Sequence, residues 1–182
     1  MEIRRLRTSN GSWNLLEDDW SNQCTEVGDD FESYGAASVS MVRKFAEADS
    51  NTEWALGLYD KSSKNYYASA CAILTSQKGY TGRVLRIREV VVCPLLDYGN
   101  LPETKYVDTL IHLLNGAVKL SETDLKARHI KIHLRSPADA VFFRAIGTAL
   151  DRKSVFAATE AHGAWLSFTK KSSAALRAVR KD

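Results

Sequence analysis

The chain is 182 residues long, 45% of them apolar, with 25 basic against 22 acidic side chains and a formal charge of +3. That length suits one domain around one sizeable core, and the near-balanced charge argues against nucleic acid as the partner. No apolar run approaches the ~20 residues of a membrane span, the opening Met1–Arg5 has no apolar signal core, and three cysteines without a CxxC spacing read as buried thiols in the reducing cytoplasm.

Glu2–Arg7, with Ile3 and Leu6 apolar, reads as a first strand. Asn10 or Ser12 can cap a helix carrying Trp13, Leu16, Trp20 and Cys24 at three- and four-residue spacing, with Glu17, Asp18 and Asp19 opposite that stripe. Gly28-Asp29-Asp30 breaks the chain before a second helix over Ser33–Ala48. Its stripe is expected to be Tyr34, Ala37, Met41, Val42, Phe45 and Ala48. The aromatics in both stripes read as core. Trp54–Tyr59 and Asn65–Thr75 form a hairpin about the polar turn Asp60–Lys64, and Ser76–Gly82 turns the chain into a third strand, Arg83–Pro94. The small side chains of Ala68-Ser69-Ala70-Cys71-Ala72 in the middle strand suit close packing under helices.

The third strand changes character along its length. Leu85–Glu89 alternates apolar and charged residues, whereas Val90–Cys93 is continuously apolar, so one end is expected to be wet and the other buried on both faces. Leu95–Leu101 is then a loop, and Pro102–Leu120 a helix with Val107, Leu110, Ile111, Leu114, Ala117 and Val118 on one face. Asn100 with Glu103 can form a capping box. A strand and loop opening a helix is a place to hold an anion, because the first-turn N–H groups are unpaired.

His129–Arg135 alternates strictly, with Ile130, Ile132 and Leu134 on one face and His129, Lys131, His133 and Arg135 on the other. Ser136-Pro137-Ala138-Asp139 starts a helix expected to bury Ala138, Val141, Phe142, Ala145, Ile146 and Ala149. Ser154–Ala158 and Ala164–Thr169 read as two closing strands. Residues 1–169 are expected to form the single domain, and 170–182 a basic tail. The crossover helix between the Arg83–Pro94 and His129–Arg135 strands makes that pair parallel in an otherwise antiparallel sheet. The fold class is therefore α/β with a mixed sheet.

Two stretches carry a family resemblance. Leu85–Pro94, LRIREVVVCP, is similar to a central strand ending in Val-x-Pro, and Ser136–Gly147, SPADAVFFRAIG, to an Asn-x-x-Ala-x-x-Leu-Tyr-x-x-x-Gly segment. Both belong to the GNAT-type acyl-CoA N-acyltransferases, and with the element order the chain resembles that family over nearly its whole length. The resemblance implies a GNAT-like fold, with the one parallel strand pair splayed and the acyl-CoA pantetheine entering the V. It implies transfer of an acetyl or other acyl group from acyl-CoA, as co-substrate, to a small-molecule or peptide amine, with no metal. A backbone N–H of Val90, Val91 or Val92 would meet the thioester oxygen. The Leu96–Lys105 loop, through Leu96, Gly99, Asn100 and Lys105, would meet the pyrophosphate, and Ser136 and Phe143 would contact the cofactor from the second stretch.

The chain also departs from the family pattern. The family's Arg/Gln-x-x-Gly-x-Gly/Ala loop is here Leu95–Glu103, with one glycine. Pro102 removes an amide donor, and Glu103 puts a carboxylate where a phosphate would sit, which Lys105 offsets in part. Phe143 stands where a tyrosine often serves as general acid, and a phenyl ring donates no proton. Ser136 replaces the asparagine. The alternative reading is thus a GNAT-like binding or regulatory module without catalysis.

Amine attack on a thioester needs a base to keep the amine neutral and a donor for the oxyanion. Glu89 stands where some family members carry the base. Flanked by Ile87 and Val91, it is either partly desolvated, with a raised pKa, or an exposed carboxylate balanced by Arg86 or Arg88. His133 is the second base candidate, its alternative being a solvated side chain beside Lys131. His129 and His133 lie ~13 Å apart on one strand at ~3.3 Å per residue, too far to ligate one metal. Cys93, in an apolar run, offers no nucleophile. Trp165 and Phe168 in the closing strands could support a homodimer edge.

Overall fold

The computed structural model describes residues 1–134, 141, 145 and 156–171. In chain order it has β1 (Glu2–Leu6), α1 (Ser12–Val27), α2 (Ala36–Ala48), β2 (Glu53–Asp60), β3 (Asn65–Ser76), β4 (Arg83–Val92), α3 (Pro94–Asp97), α4 (Glu103–Leu120), β5 (His129–His133), β6 (Ala158–His162) and β7 (Trp165–Thr169). The strands make one sheet in the order β1-β2-β3-β4-β5-β7-β6. Every described pairing is antiparallel except β4 with β5, which is parallel, as the crossover through α4 requires. No helix among the described residues is long and apolar enough to cross a membrane.

Two cores follow from the pleat, because successive side chains of a strand leave on opposite faces. On one face Leu85, Ile87, Ile130 and Ile132 meet Leu110, Leu114 and Ala117 of α4. On the other, Trp13, Leu16 and Trp20 of α1 and Val42 of α2 cover Tyr66, Cys71 and Val92. The centre of β3, Ala68–Ala72, is almost wholly buried, and its small side chains let helices approach on both sides.

Several expectations change at the level of helix rotation and capping. In α2 the buried residues are Ser38, Val39, Val42 and Ala46, while Met41 is exposed; the helix is turned so that Ser38 reaches β4. In α4 Thr109, Leu110, Leu113, Leu114, Ala117 and Leu120 are buried and Ile111 is exposed. Thr109 tolerates burial because its hydroxyl donates to the Lys105 carbonyl at 2.8 Å. No capping box forms at α4, whose N-cap is Pro102 with no side-chain bond. Gly11, in the left-handed region, is the N-cap of α1, and Asn10 Oδ1 accepts the Ser12 N–H beside it.

Asp19 is half-buried rather than fully solvated. Its Oδ2 accepts the Tyr66 N–H at 2.6 Å, and its Oδ1 the Gln23 Nε2–H at 3.0 Å, yet burial still pushes its carboxyl pKa up. The Leu95–Leu101 segment is not all loop, since Pro94–Asp97 closes a helical turn. β4 ends at Val92 and β5 at His133. The last hairpin is β6 with β7 about Gly163; of the strand expected over Ser154–Ala158, Phe156 and Ala157 are bends, Ala158 opens β6, and Ser154 and Val155 lie outside the described residues. Val141, 70% exposed, and Ala145, also exposed, are helical positions that face outward, contrary to the expected stripe. The other residues of the 138–149 helix expectation, and 172–182 of the tail, lie outside the described residues. Lys170 is anchored by Nζ to the carbonyl of Ser121 at 2.8 Å and its Oγ at 3.1 Å.

Candidate functional site

The site begins where β4 stops pairing with β5. Their parallel ladder runs only from Val84↔His129 to Ile87↔Ile132. β4 continues for five further residues held on its β3 side alone, and among the described residues nothing of β5 pairs with Arg88–Val92. Among the described residues that edge of β4 is therefore left open, and this opening is called the V.

A bulge sits at the mouth of this V. The β3 register passes from Cys71↔Arg88 to Ser69↔Val91, so Glu89 and Val90 together stand against Ala70 alone. Two residues facing one is the definition of a β-bulge, a device that re-aims a side chain. Glu89 takes φ +51°, a left-handed conformation that a non-glycine residue holds only when its surroundings enforce it. The enforcing contacts include Ser38 of α2, whose Oγ donates to Glu89 Oε2 at 2.9 Å, and Arg88, whose guanidinium lies 3.8 Å from Oε1. Only 19% of the Glu89 side chain is exposed. It is neither a free surface carboxylate nor sealed in the core.

Beyond the bulge the backbone polar groups sort by edge. The Cys93 N–H donates to Tyr67 O on β3 at 3.0 Å. Successive residues of a strand alternate their edges, so the N–H groups of Val90 and Val92 turn toward the opened side and that of Val91 toward β3. The Val92 carbonyl accepts the Tyr34 hydroxyl at 2.7 Å, which fixes the inner end of the V. Burial drives the Tyr34 phenol pKa far up, so it is a permanent donor there.

The loop after β4 is self-contained. The amides of Asp97 and Tyr98 donate to Cys93 and Pro94 carbonyls, and those of Gly99 and Asn100 to Leu96 and Leu95 carbonyls. Gly99 takes φ +74° to close this turn. Leu96 is buried in the α1–α2 core. Lys105 points to Asp60, with Nζ 3.3 Å from Oδ2 and 4.1 Å from the Tyr67 ring centre. Of the residues expected to meet a cofactor, the structure thus brings Val90 and Val92 to the V. It puts Val91 on β3, Leu96 in the core and Lys105 on Asp60, with Gly99 and Asn100 exposed at the loop tip. Ser136 and Phe143 lie outside the described residues.

His133 is one step past the last rung that β5 shares with β4, is paired with Trp165 of β7, and its ring lies 4.7 Å from that of Trp165. His129, read on the polar face of its strand, is buried, with its ring nitrogens 3.0 Å from Thr169 Oγ1 and from the Thr81 carbonyl. Among the described residues no group of three or more His, Cys, Asp or Glu side chains is arranged to hold a metal. Burial pushes the thiols of Cys71 and Cys93 up to about 12, which leaves neither as a nucleophile at neutral pH. Ser38 and Tyr34, which steady the base candidate and the V, carried no motif; Tyr34 was legible only as a core aromatic.

No family model matches the chain, and no curated protein does. Among solved structures it is similar to a spermidine N-acetyltransferase from Vibrio cholerae, at 16% identity over 100% of both chains with a TM-score of 0.49. It is similar to a glucosamine-6-phosphate N-acetyltransferase from Arabidopsis thaliana, at 15% identity over 80% of this chain and 89% of that one, TM-score 0.38. An acetyltransferase of the GNAT family from Streptococcus pneumoniae matches at 10% identity over 92% and 97%, TM-score 0.40.

Proposed function

We propose that the chain transfers an acyl group from acyl-CoA to an amine, with Glu89 as the base. The observation that carries this reading is the bulge that aims a half-buried carboxylate at the mouth of the V, beside two N–H groups turned into the opening. A thioester lying along that edge would offer its carbonyl oxygen to Val90 or Val92 N–H. The neutral amine attacks the carbonyl carbon, and its proton passes to Glu89. The C–S bond then breaks, and the CoA thiolate leaves and takes a proton. Preorganised backbone donors at a developing oxyanion and a positioned base are the two effects such a reaction needs. His133, across the opening, is the second candidate for the base.

A second reading, a binding or regulatory module, is favoured by the closed loop. With the Asp97–Asn100 amides spent internally and Lys105 tied to Asp60, the usual wrap around a pyrophosphate is missing. Calorimetric titration with acetyl-CoA and CoA, beside thermal shift, separates the two. A ligand at a hundredfold excess over its Kd should stabilise the fold by about 2.7 kcal/mol. No heat and no shift with several acyl-CoAs sinks the enzyme reading. If binding is found, Glu89→Gln should keep it and cost ~10²–10⁴ in turnover.

A further inference from the structure

The strand face that leads into the V carries an unusual surplus of positive charge. Arg86 of β4 and Lys131 of β5 are partners in the parallel ladder, so both side chains leave the same face, opposite the α4 core. They share one aromatic neighbour. The Arg86 guanidinium lies 4.9 Å from the Trp165 ring centre and Lys131 Nζ 5.2 Å from it, while Tyr80 flanks Lys131 at 5.3 Å. Arg88 follows on the same face, next to Glu89.

Two like charges held side by side on one ring repel one another unless an anion joins them. Among the described residues no carboxylate lies within ion-pair range of Arg86 or Lys131, and Glu89 is committed to Arg88 and Ser38. Glu160 shares the face but sits on β6, opposite Ser167, which is itself opposite Lys131. Two strand spacings put it about 10 Å from Lys131. The Nε atoms of Arg86 and Arg88 are buried with no hydrogen-bond partner, although native proteins leave few such donors unmet. A planar guanidinium with an open donor, beside an ammonium, matches a carboxylate or a phosphate.

We propose that Arg86, Lys131 and Arg88, with Trp165 as platform, form a subsite for an anionic group on the acceptor, so that the substrate is an amine bearing a carboxylate or a phosphate. This rests on the acyl-transfer reading, because it is the proximity of Glu89 that makes the bound molecule an acceptor. The anion is held on the β4–β5 face, and the amine end extends along β4 to Glu89. Cationic polyamines are rejected by the same charges.

Saturable binding to the intact chain tests this without turnover, by ligand-observed NMR with four probes. Phosphoethanolamine and β-alanine carry the phosphate or the carboxylate; ethanolamine and putrescine carry neither. At least one anionic amine should bind at least tenfold more tightly than ethanolamine and putrescine, and which of the two binds identifies the anion. Arg86→Gln and Lys131→Gln should each weaken it about tenfold, while their melting temperatures and acetyl-CoA affinity stay near those of the parent chain. Equal or tighter binding of ethanolamine or putrescine overturns the subsite, as does indifference to both substitutions or an absence of binding by either anionic amine. Acetyl-CoA calorimetry on the same samples keeps the two readings apart. Acetyl-CoA binding without anion selectivity removes the subsite alone, whereas selectivity without acetyl-CoA binding removes the transferase reading and keeps the anion site.

Discussion

Ser38 Oγ donates to Glu89 Oε2 at 2.9 Å across the gap between α2 and the bulge of β4. The bond fixes a carboxylate whose backbone is already in a left-handed turn. Hydrogen bonds to charged groups are worth about 1.5–3 kcal/mol, and 1.36 kcal/mol is tenfold in rate. Ser38→Ala should therefore lower kcat/KM for the amine about tenfold or somewhat more, with acetyl-CoA affinity unchanged. In a Glu89→Gln background the same change should cost less than about twofold, because the two residues act as a unit. Additive losses in the double-mutant cycle would contradict the coupling.

Tyr34→Phe removes the hydroxyl that satisfies the Val92 carbonyl. A buried acceptor left without its donor costs about 1–3 kcal/mol. At this chain length each kcal/mol lowers Tm by roughly 2–4 °C. Urea unfolding should show a lower midpoint with an unchanged slope. Parent-like stability would mean that water or another donor reaches Val92.

Gly57 in β2 is a close approach. A Cβ there would lie 2.8 Å from two ring atoms of Tyr66 and 3.0 Å from a methyl of Leu6. Tyr66 is buried and its N–H is held by Asp19, so its ring has little room to yield. Gly57→Ala should destabilise by about 1–3 kcal/mol through overpacking. A neutral result in a thermal melt would show that the ring moves.

The Asp60 carboxyl is held at about 2, first by Ser62, whose hydroxyl and N–H both donate to it, and then by Lys105. A depressed folded-state pKa contributes stability that is present above the unfolded value, about 3.9, and is lost as pH falls toward 2. Asp60→Asn should therefore flatten the fall of Tm between about pH 4 and pH 2. Identical slopes in parent and variant would remove Asp60 from the acid transition.

Much of the fold was legible because the sheet obeys local rules. The alternation of Ile130 and Ile132 with Lys131 and His133 marks β5, and the crossover through α4 dictates its parallel pairing. Helix rotation was harder to read. Apolar spacing alone favours Met41 over Ser38 for the buried stripe of α2, and only the distant Glu89 makes a buried serine favourable. The site was half legible for the same reason. Glu89 could be singled out on its strand, but a bulge depends on register against β3, which no local pattern encodes. The loop after Pro94 kept its lack of glycines, yet its internal amide bonds emerge only once Cys93 and Leu95 are in place.

The brevity of the β4–β5 ladder has a mechanical consequence. Among the described residues four rungs join β4 to β5, fewer than join β3 to either of its neighbours, so this seam should be the more compliant one. A molecule lodged in the V would act as additional rungs and stiffen the seam. Amide exchange at Val90 and Val92 would then report occupancy as slowed deuterium uptake, whatever chemistry follows.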